Sequence, residues 1–307
     1  MDLRDQVLAN VAAQGAVGVA WLDQLPELVR RLEDLWGLEV GQIFPNATEA
    51  YVAAAVTRDG EEVALKIPIA GLVKADRELR ALAAADGRGY VRLLRHDATS
   101  GAMLLERLGP QLAELSLPID EQIRIICAAL EQAWMPRPSG LQLVTGAEKA
   151  SALASYIKKV WSKLGKPCSE KAFAVALRFA EARRDAFDPA TAVFAHGDAH
   201  AWNTLQDPNT LGYKFVDPEG LFIERAHDLS ISMREWSAEL LAGDPLALGR
   251  RRCALLSRLT GVEAEAIWQW GFIERLVNGL IYREIGPEEN ALEFLTVVEA
   301  WAEAEAA

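Results

Sequence analysis

Apolar side chains recur at helical spacing over the first 35 residues: Leu3, Val7, Leu8 and Val11, then Leu25, Leu28, Val29, Leu32 and Leu35 around Pro26. This spacing predicts helices across residues 1–35. From about Trp36 the period falls to two, and Leu38–Val40, Ala50–Val56 and Glu62–Pro68 read as short strands. Thr57-Arg58-Asp59-Gly60 predicts a hairpin turn with Asp-Gly at the positive-φ positions. Alternation in the third strand puts Val63, Leu65 and Ile67 on one face and Ala64 and Lys66 on the other. A helix is predicted over 71–85 (Leu72, Val73, Leu79, Leu82, Ala83), closed by Asp86-Gly87. Strands at Tyr90–His96 and Ala102–Glu106 follow, joined by a turn at Thr99-Ser100-Gly101.

Beyond Gly109-Pro110 the pattern is mostly helical, with helices predicted at 120–134, 147–163, 169–187, 227–242, 246–258, 262–283 and 288–304. An island of loop and strand interrupts them between Val193 and Val216, and Glu299–Ala307 reads as a fraying end. Ile267, Trp270, Ile273, Leu276 and Leu280 form a core stripe. The organisation is a helical extension at 1–35, a strand-rich lobe at 36–110 with its joint at Arg107–Pro110, and a helical lobe at 111–307. A ligand site is expected where two such lobes meet.

Composition narrows the function. With 51% hydrophobic and 25% charged residues over 307 positions the chain is an ordinary globular protein. Lysine plus arginine number 32 against 44 acids, a net charge of -12. Such a surface repels phosphate backbones and disfavours nucleic-acid partners, while suiting a cationic small molecule. Cys127, Cys168 and Cys253 are far apart, which argues against a disulfide framework or a structural zinc site. No leader segment and no membrane-spanning run are read in the sequence, so a reduced, cytoplasmic protein is expected. Nothing in the pattern specifies an oligomer.

The sharpest chemistry lies in His196-Gly197-Asp198-Ala199-His200-Ala201-Trp202-Asn203, with Asp217 on a strand 14 residues after the Asn. The spacing His-x-Asp-x4-Asn followed by a strand Asp matches a kinase catalytic loop and its metal-binding acid. Phosphoryl transfer needs a carboxylate to orient the nucleophile's proton, which Asp198 supplies, and hard oxygen ligands for Mg2+, which Asn203 and Asp217 supply. Read alone, the loop is also compatible with a set of capped turns. Val63-Ala64-Leu65-Lys66 fits the strand lysine that contacts the α/β-phosphates, and Glu78, 12 residues on, sits where its ion-pair partner belongs. On their own these two read as an edge-strand lysine and a surface pair with Lys74.

With these motifs in this order, the chain resembles the aminoglycoside phosphotransferases of the protein-kinase-like fold. More narrowly, it is similar to the streptomycin 6-kinase/hydroxyurea phosphotransferase branch. Tyr90-Val91-Arg92-Leu93-Leu94, Met103–Leu108, His196–His200 and Val216–Gly220 carry the likeness. The resemblance implies an α+β, two-lobed fold with a small antiparallel-sheet N-lobe and a larger, mostly helical C-lobe. It also implies ATP or GTP, Mg2+, and transfer of the γ-phosphoryl group to a hydroxyl of a small-molecule acceptor. The nucleotide base is then expected on the linker Glu106–Leu108.

Departures from the protein-kinase pattern sharpen the reading. In place of a glycine-rich loop stands Gly41–Thr48, where Asn46 suits a tight turn and Thr48 is the candidate for the phosphate oxygens. Asp217 is followed by Pro218-Glu219, and the short stretch to Ala226 leaves no peptide-docking segment. Asp228 is expected to cap a helix or brace the loop, His196 to hydrogen-bond within it, and Trp202 to pack. Residues 217–239 hold six acids against two arginines, an acidic floor suited to a cationic acceptor. Glu219, Glu235 and His200 are its candidate contacts. The alternatives are a kinase of a housekeeping metabolite on the same fold and a nucleotide-binding pseudokinase.

Overall fold

The computed structural model describes residues 5–71 and 74–305. Leu3, Leu72, Val73 and the last two alanines of the expected helices lie outside the described residues. The chain divides into two compact units: the first ends at Gly109 and takes in Gln206–Val216, and the second comprises Pro110–Leu205 and the chain from Asp217 onward. Among the described residues no helix is long and apolar enough to cross a membrane.

The first unit begins with α1 (Asp5–Ala13) and α2 (Gly15–Trp36), separated at Gln14 where Gly15 turns to φ +57°. It continues with β1 (Leu38–Ile43), β2 (Ala50–Thr57), β3 (Glu62–Pro68), α3 (Lys74–Ala85), β4 (Leu93–Asp97) and β5 (Ala102–Glu106). The strands form one antiparallel sheet in the order β1-β2-β3-β5-β4. Trp21, Leu25, Leu32 and the α1 residues Val7 and Val11 bury one face of it against Val63, Leu65, Ile67 and Leu104. Removing that apolar surface from water is the main force holding helices to sheet. Alternation then leaves Lys66 for the opposite face.

Two details differ from the sequence reading. In the β2–β3 hairpin only Gly60 takes positive φ (+83°), and the turn closes through Gly60 N–H to Thr57 O at 2.9 Å. One left-handed glycine suffices because the loop runs to Glu61, whose carbonyl accepts from Thr57 N–H. The fourth strand starts at Leu93 rather than Tyr90. Tyr90 instead bridges to Phe215, Val91 N–H donates to Phe215 O, and Phe215 N–H donates to Gly89 O. These bonds draw 206–216 into the first unit.

The second unit holds α4 (Ile119–Ala133), β6 (Val144–Thr145), α5 (Gly146–Lys163), α6 (Glu170–Asp185) and β7 (Val193–Ala195); the chain then passes through β8 (Thr204–Gln206), which ends in the first unit, and β9 (Tyr213–Phe215), which belongs to it. There follow β10 (Leu221–Ile223), α7 (Arg225–Arg234), α8 (Ser237–Leu241), α9 (Pro245–Thr260), α10 (Ala264–Ile285) and α11 (Glu288–Glu303). β10 lies between β6 and β7. The expected apolar stripe of α10 is fully buried at Ile267, Trp270, Ile273, Leu276 and Leu280.

The helix expected at 227–242 is two helices, broken at Trp236, which takes the left-handed conformation at φ +55°. Two buried arginines hold the break. Arg275 donates to the carbonyls of Met233, Arg234 and Glu235 and to Ser237 Oγ, and Arg252 donates to those of Ser232 and Glu235. They satisfy the carbonyls a helix end leaves orphaned and place cations at the negative end of its dipole. α10 reaches α7 this closely because Gly271 has no side chain: a Cβ there would stand 2.6 Å from Met233 Cβ. Gly271→Ala is therefore expected to destabilise the protein by about 1–3 kcal/mol in denaturant titrations. A midpoint no lower than wild type would show that the two helices tolerate separation.

Candidate active site

In the first unit, β3 and α3 bring Lys66 and Glu78 together. Lys66 Nζ lies 2.6 Å from Glu78 Oε1, with the two side chains 8% and 10% exposed. A buried ion pair contributes little net stability, so its retention points to a use for an oriented ammonium. Glu106, the last residue of β5, accepts from Lys214 Nζ at 2.6 Å and from Arg92 N–H at 2.7 Å, so its carboxylate is engaged within the unit. Leu108 is buried, and Gly109 N–H donates to Gln206 O. Thr48 is exposed on the β1–β2 loop, tied through its carbonyl to Asn10 Nδ2 at 2.9 Å. In the same loop the Arg107 guanidinium stacks on the Phe44 ring, 4.2 Å from its centre.

In the second unit, α7 fixes the loop that follows β7. Asp228 is completely buried and accepts from His196 N–H at 3.0 Å, Gly197 N–H at 2.7 Å and Trp134 Nε1 at 2.9 Å. It braces the loop; the helix N-cap position belongs to Glu224. Gly197 is required at φ +91°, where a Cβ would meet Glu219 Cβ at 2.9 Å. The loop is then closed by its own bonds. Asp198 N–H donates to His196 Nδ1 at 3.0 Å, Asn203 N–H to His200 O at 3.0 Å, and Asn203 Nδ2 to Asp198 O at 3.1 Å. Trp202, expected to pack, is 48% exposed, because its main chain is what the loop uses: N–H to His200 Nδ1 and carbonyl from Gln111 Nε2.

Asp198 carries the electrostatics. Its Oδ1 meets Arg234 Nη2 at 2.8 Å and its Oδ2 meets His200 Nε2 at 3.3 Å. Burial pushes the carboxyl up, but the Arg234 guanidinium and the His200 hydrogen bond outweigh it and hold Asp198 well below the ordinary carboxylate range. His200 is raised in turn: burial pulls it down, and the Asp198 bond more than reverses this. Arg234 Nε also donates to Glu235 Oε1 at 2.9 Å. Arg234 was not singled out in the sequence, where it counts only as one arginine among six acids.

The expected acidic floor is corrected. Glu235 pairs with Arg234, Glu224 with Arg183 and Trp270 Nε1, and Glu239 with Arg252, while Asp228 is spent on backbone amides. Glu235 is neutralised by the arginine next to it in the chain, and Glu224 and Glu239 by partners that α6, α10 and α9 deliver. Glu219 meets Lys149 Nζ of α5 at 3.4 Å, a residue nothing in the sequence marked. Lys149 is raised: burial lowers it, and Glu274, Glu219 and Asp198 together prevail.

Asp217 stands at φ +59°, a conformation rare outside glycine and held at functional sites. Two residues later Glu219 N–H donates to His196 O at 2.8 Å, which brings this turn alongside the Asp198 loop. The donor set suits a hard cation. Asn203 commits its amide nitrogen to Asp198 O, which leaves Oδ1 as its donor, and Asp217 offers a carboxylate. Among the described residues no group of three or more His, Cys, Asp or Glu could hold a metal ion. Asn203 and Asp217 are the residues that could hold Mg2+.

Choline kinase LicA of Streptococcus pneumoniae superposes with a TM-score of 0.60 at 16% identity, covering 91% of this chain and 99% of the other. That likeness defines a kinase-like phosphotransferase fold. Residues 38–286 match the model of the aminoglycoside/hydroxyurea antibiotic resistance kinases, and the chain belongs to that family. It is a phosphotransferase acting on a hydroxyl group. Streptomycin 6-kinase of Streptomyces glaucescens is 26% identical, covering 91% of this chain and 90% of the relative. The corresponding kinase of Streptomyces griseus is 29% identical, covering 94% and 92%.

The brace is testable. Asp228→Asn sets an amide NH2 against backbone donors and is expected to cost about 2–4 kcal/mol in denaturant titrations. A loss too small to measure would show that the loop stands without Asp228.

Proposed function

We propose that the chain moves the γ-phosphoryl group of ATP, or of GTP, to a hydroxyl of a small cationic acceptor of the streptomycin kind. Hydroxyurea is the neutral acceptor of the same branch. The observation that carries this reading is Asp198: a carboxylate 32% exposed, held ionised by Arg234 and His200 on a loop braced by Asp228. So acidic a group is a poor sink for protons. Its work is to orient the acceptor hydroxyl, and it receives the proton late, once the phosphoryl group has largely left its donor.

In this reading residues 36–110 serve the nucleotide, residues 111–307 carry the catalytic loop and acceptor site, and residues 1–35 are a helical extension. Lys66, aligned by Glu78, holds the α/β-phosphates. Thr48 and its loop amides lie over the phosphates, and the main chain of Glu106–Leu108 takes the base. Mg2+, held by Asn203 and Asp217, supplies neutralisation of charge on the β/γ-phosphate oxygens when bound. His200, tied to Asp198, keeps the carboxylate facing the acceptor. Rate enhancement then comes from positioning and charge, not from covalent chemistry.

Asp198→Asn is expected to bind Mg-ATP as wild type does in calorimetry while losing about 100-fold or more in turnover with streptomycin or hydroxyurea. Unchanged turnover would show that the orienting carboxylate lies elsewhere.

A further inference from the structure

The two carboxylates expected on the acceptor side are not equivalent. Glu235 is spent: its Oε1 accepts from Arg234 Nε at 2.9 Å, and that arginine is itself committed to Asp198. Glu219 is fixed at its backbone through the bond to His196 O, and its Cβ packs where Gly197, the residue before Asp198, permits no side chain. Its backbone and Cβ are therefore fixed against the residues that precede Asp198. The contact it makes with Lys149 is a single stretched one of 3.4 Å, with the side chains 20% and 30% exposed. Neighbouring Glu148 does not compete, because it is engaged with Thr145 at the start of α5.

We propose that Lys149 is a placeholder cation: it neutralises Glu219 when no acceptor is bound and yields it to a guanidinium or ammonium group of the acceptor. It thereby sets how strongly the enzyme prefers charged acceptors over neutral ones. The inference rests on the acceptor class proposed above. A lysine ammonium is a compact charge on a flexible stem; its hydrogen bond to Glu219 is a long one, while Glu274 and Asp198 also attract it and keep it in the site when that bond is given up. A guanidinium can make two parallel charge-assisted bonds to the same carboxylate and displace it. The displaced ammonium remains close by, and its charge opposes the incoming cation. Lys149 thus moderates the affinity that Glu219 alone would give.

The test compares streptomycin with hydroxyurea. Lys149→Met is expected to raise the ratio of their kcat/KM values about tenfold in favour of streptomycin, the order expected for removing one like charge nearby at protein permittivity. In a Glu219→Gln background the same substitution should raise the ratio by clearly less, because only the like-charge repulsion is then relieved; a rise as large as in the wild-type background overturns the competition for Glu219. Calorimetric titration of streptomycin into the same variants without nucleotide should move in the same direction. A ratio unchanged or lowered by Lys149→Met in folded protein overturns the placeholder role. A wild type that phosphorylates hydroxyurea but neither binds nor phosphorylates streptomycin overturns this inference and leaves the phosphotransferase reading intact. Tighter streptomycin binding to Lys149→Met, without ATP turnover on either acceptor, supports the Glu219 assignment while removing the catalytic one.

Discussion

A carboxylate that must stay charged while largely shielded from water needs a cation against it, and Asp198 has Arg234 at 2.8 Å. Most of the second unit's polar architecture serves that contact. Arg234 is the last residue of α7, and its place depends on where the helix stops. Arg275 and Arg252 determine the stop by bonding the final carbonyls. Asp228, six residues earlier and about 9 Å along the axis, holds the backbone that leads into Asp198. One short helix thus fixes Asp198 twice, by main chain at one end and by side chain at the other.

This arrangement buries charge, which is costly unless each group is paired. Arg275 is fully buried and bonded to three carbonyls and a hydroxyl. Beside it Glu274 faces His227 at 3.2 Å; burial pushes its carboxyl up, but Lys149 and His227 bring it down to about 2 from 4.5. A carboxylate depressed in the folded state adds stability above its ordinary value and loses it as pH falls toward the folded one. The charged network around Asp198 is for this reason also a source of acid sensitivity.

What could be read beforehand follows from range in sequence. Lys66 and Glu78 were legible because alternation in β3 and the helical period of α3 are local, and the pair then closes across 12 residues. Asp198, Asn203 and Asp217 stood out because their spacing matches a kinase catalytic loop, which is the ground for the roles proposed for them. Arg234, Lys149, Arg252 and Arg275 were not. Each acquires its role from a helix packed against the loop across dozens of residues, and a charged residue in a helix reads the same whether solvated or buried. The start of β4 was missed for a similar reason: Tyr90 pairs with Phe215, more than a hundred positions away. Trp202 was misread as packing because a loop can expose an indole when its main chain does the bonding.

If Asp198 is the orienting carboxylate, Arg234 acts on catalysis only through it. A double-mutant cycle in kcat tests it most directly, with Asp198→Asn, Arg234→Met and the combined variant measured on an acceptor the wild type phosphorylates. Groups acting as one unit give a double variant no slower than Asp198→Asn alone. Losses that multiply would contradict the claim and make Arg234 an independent contributor.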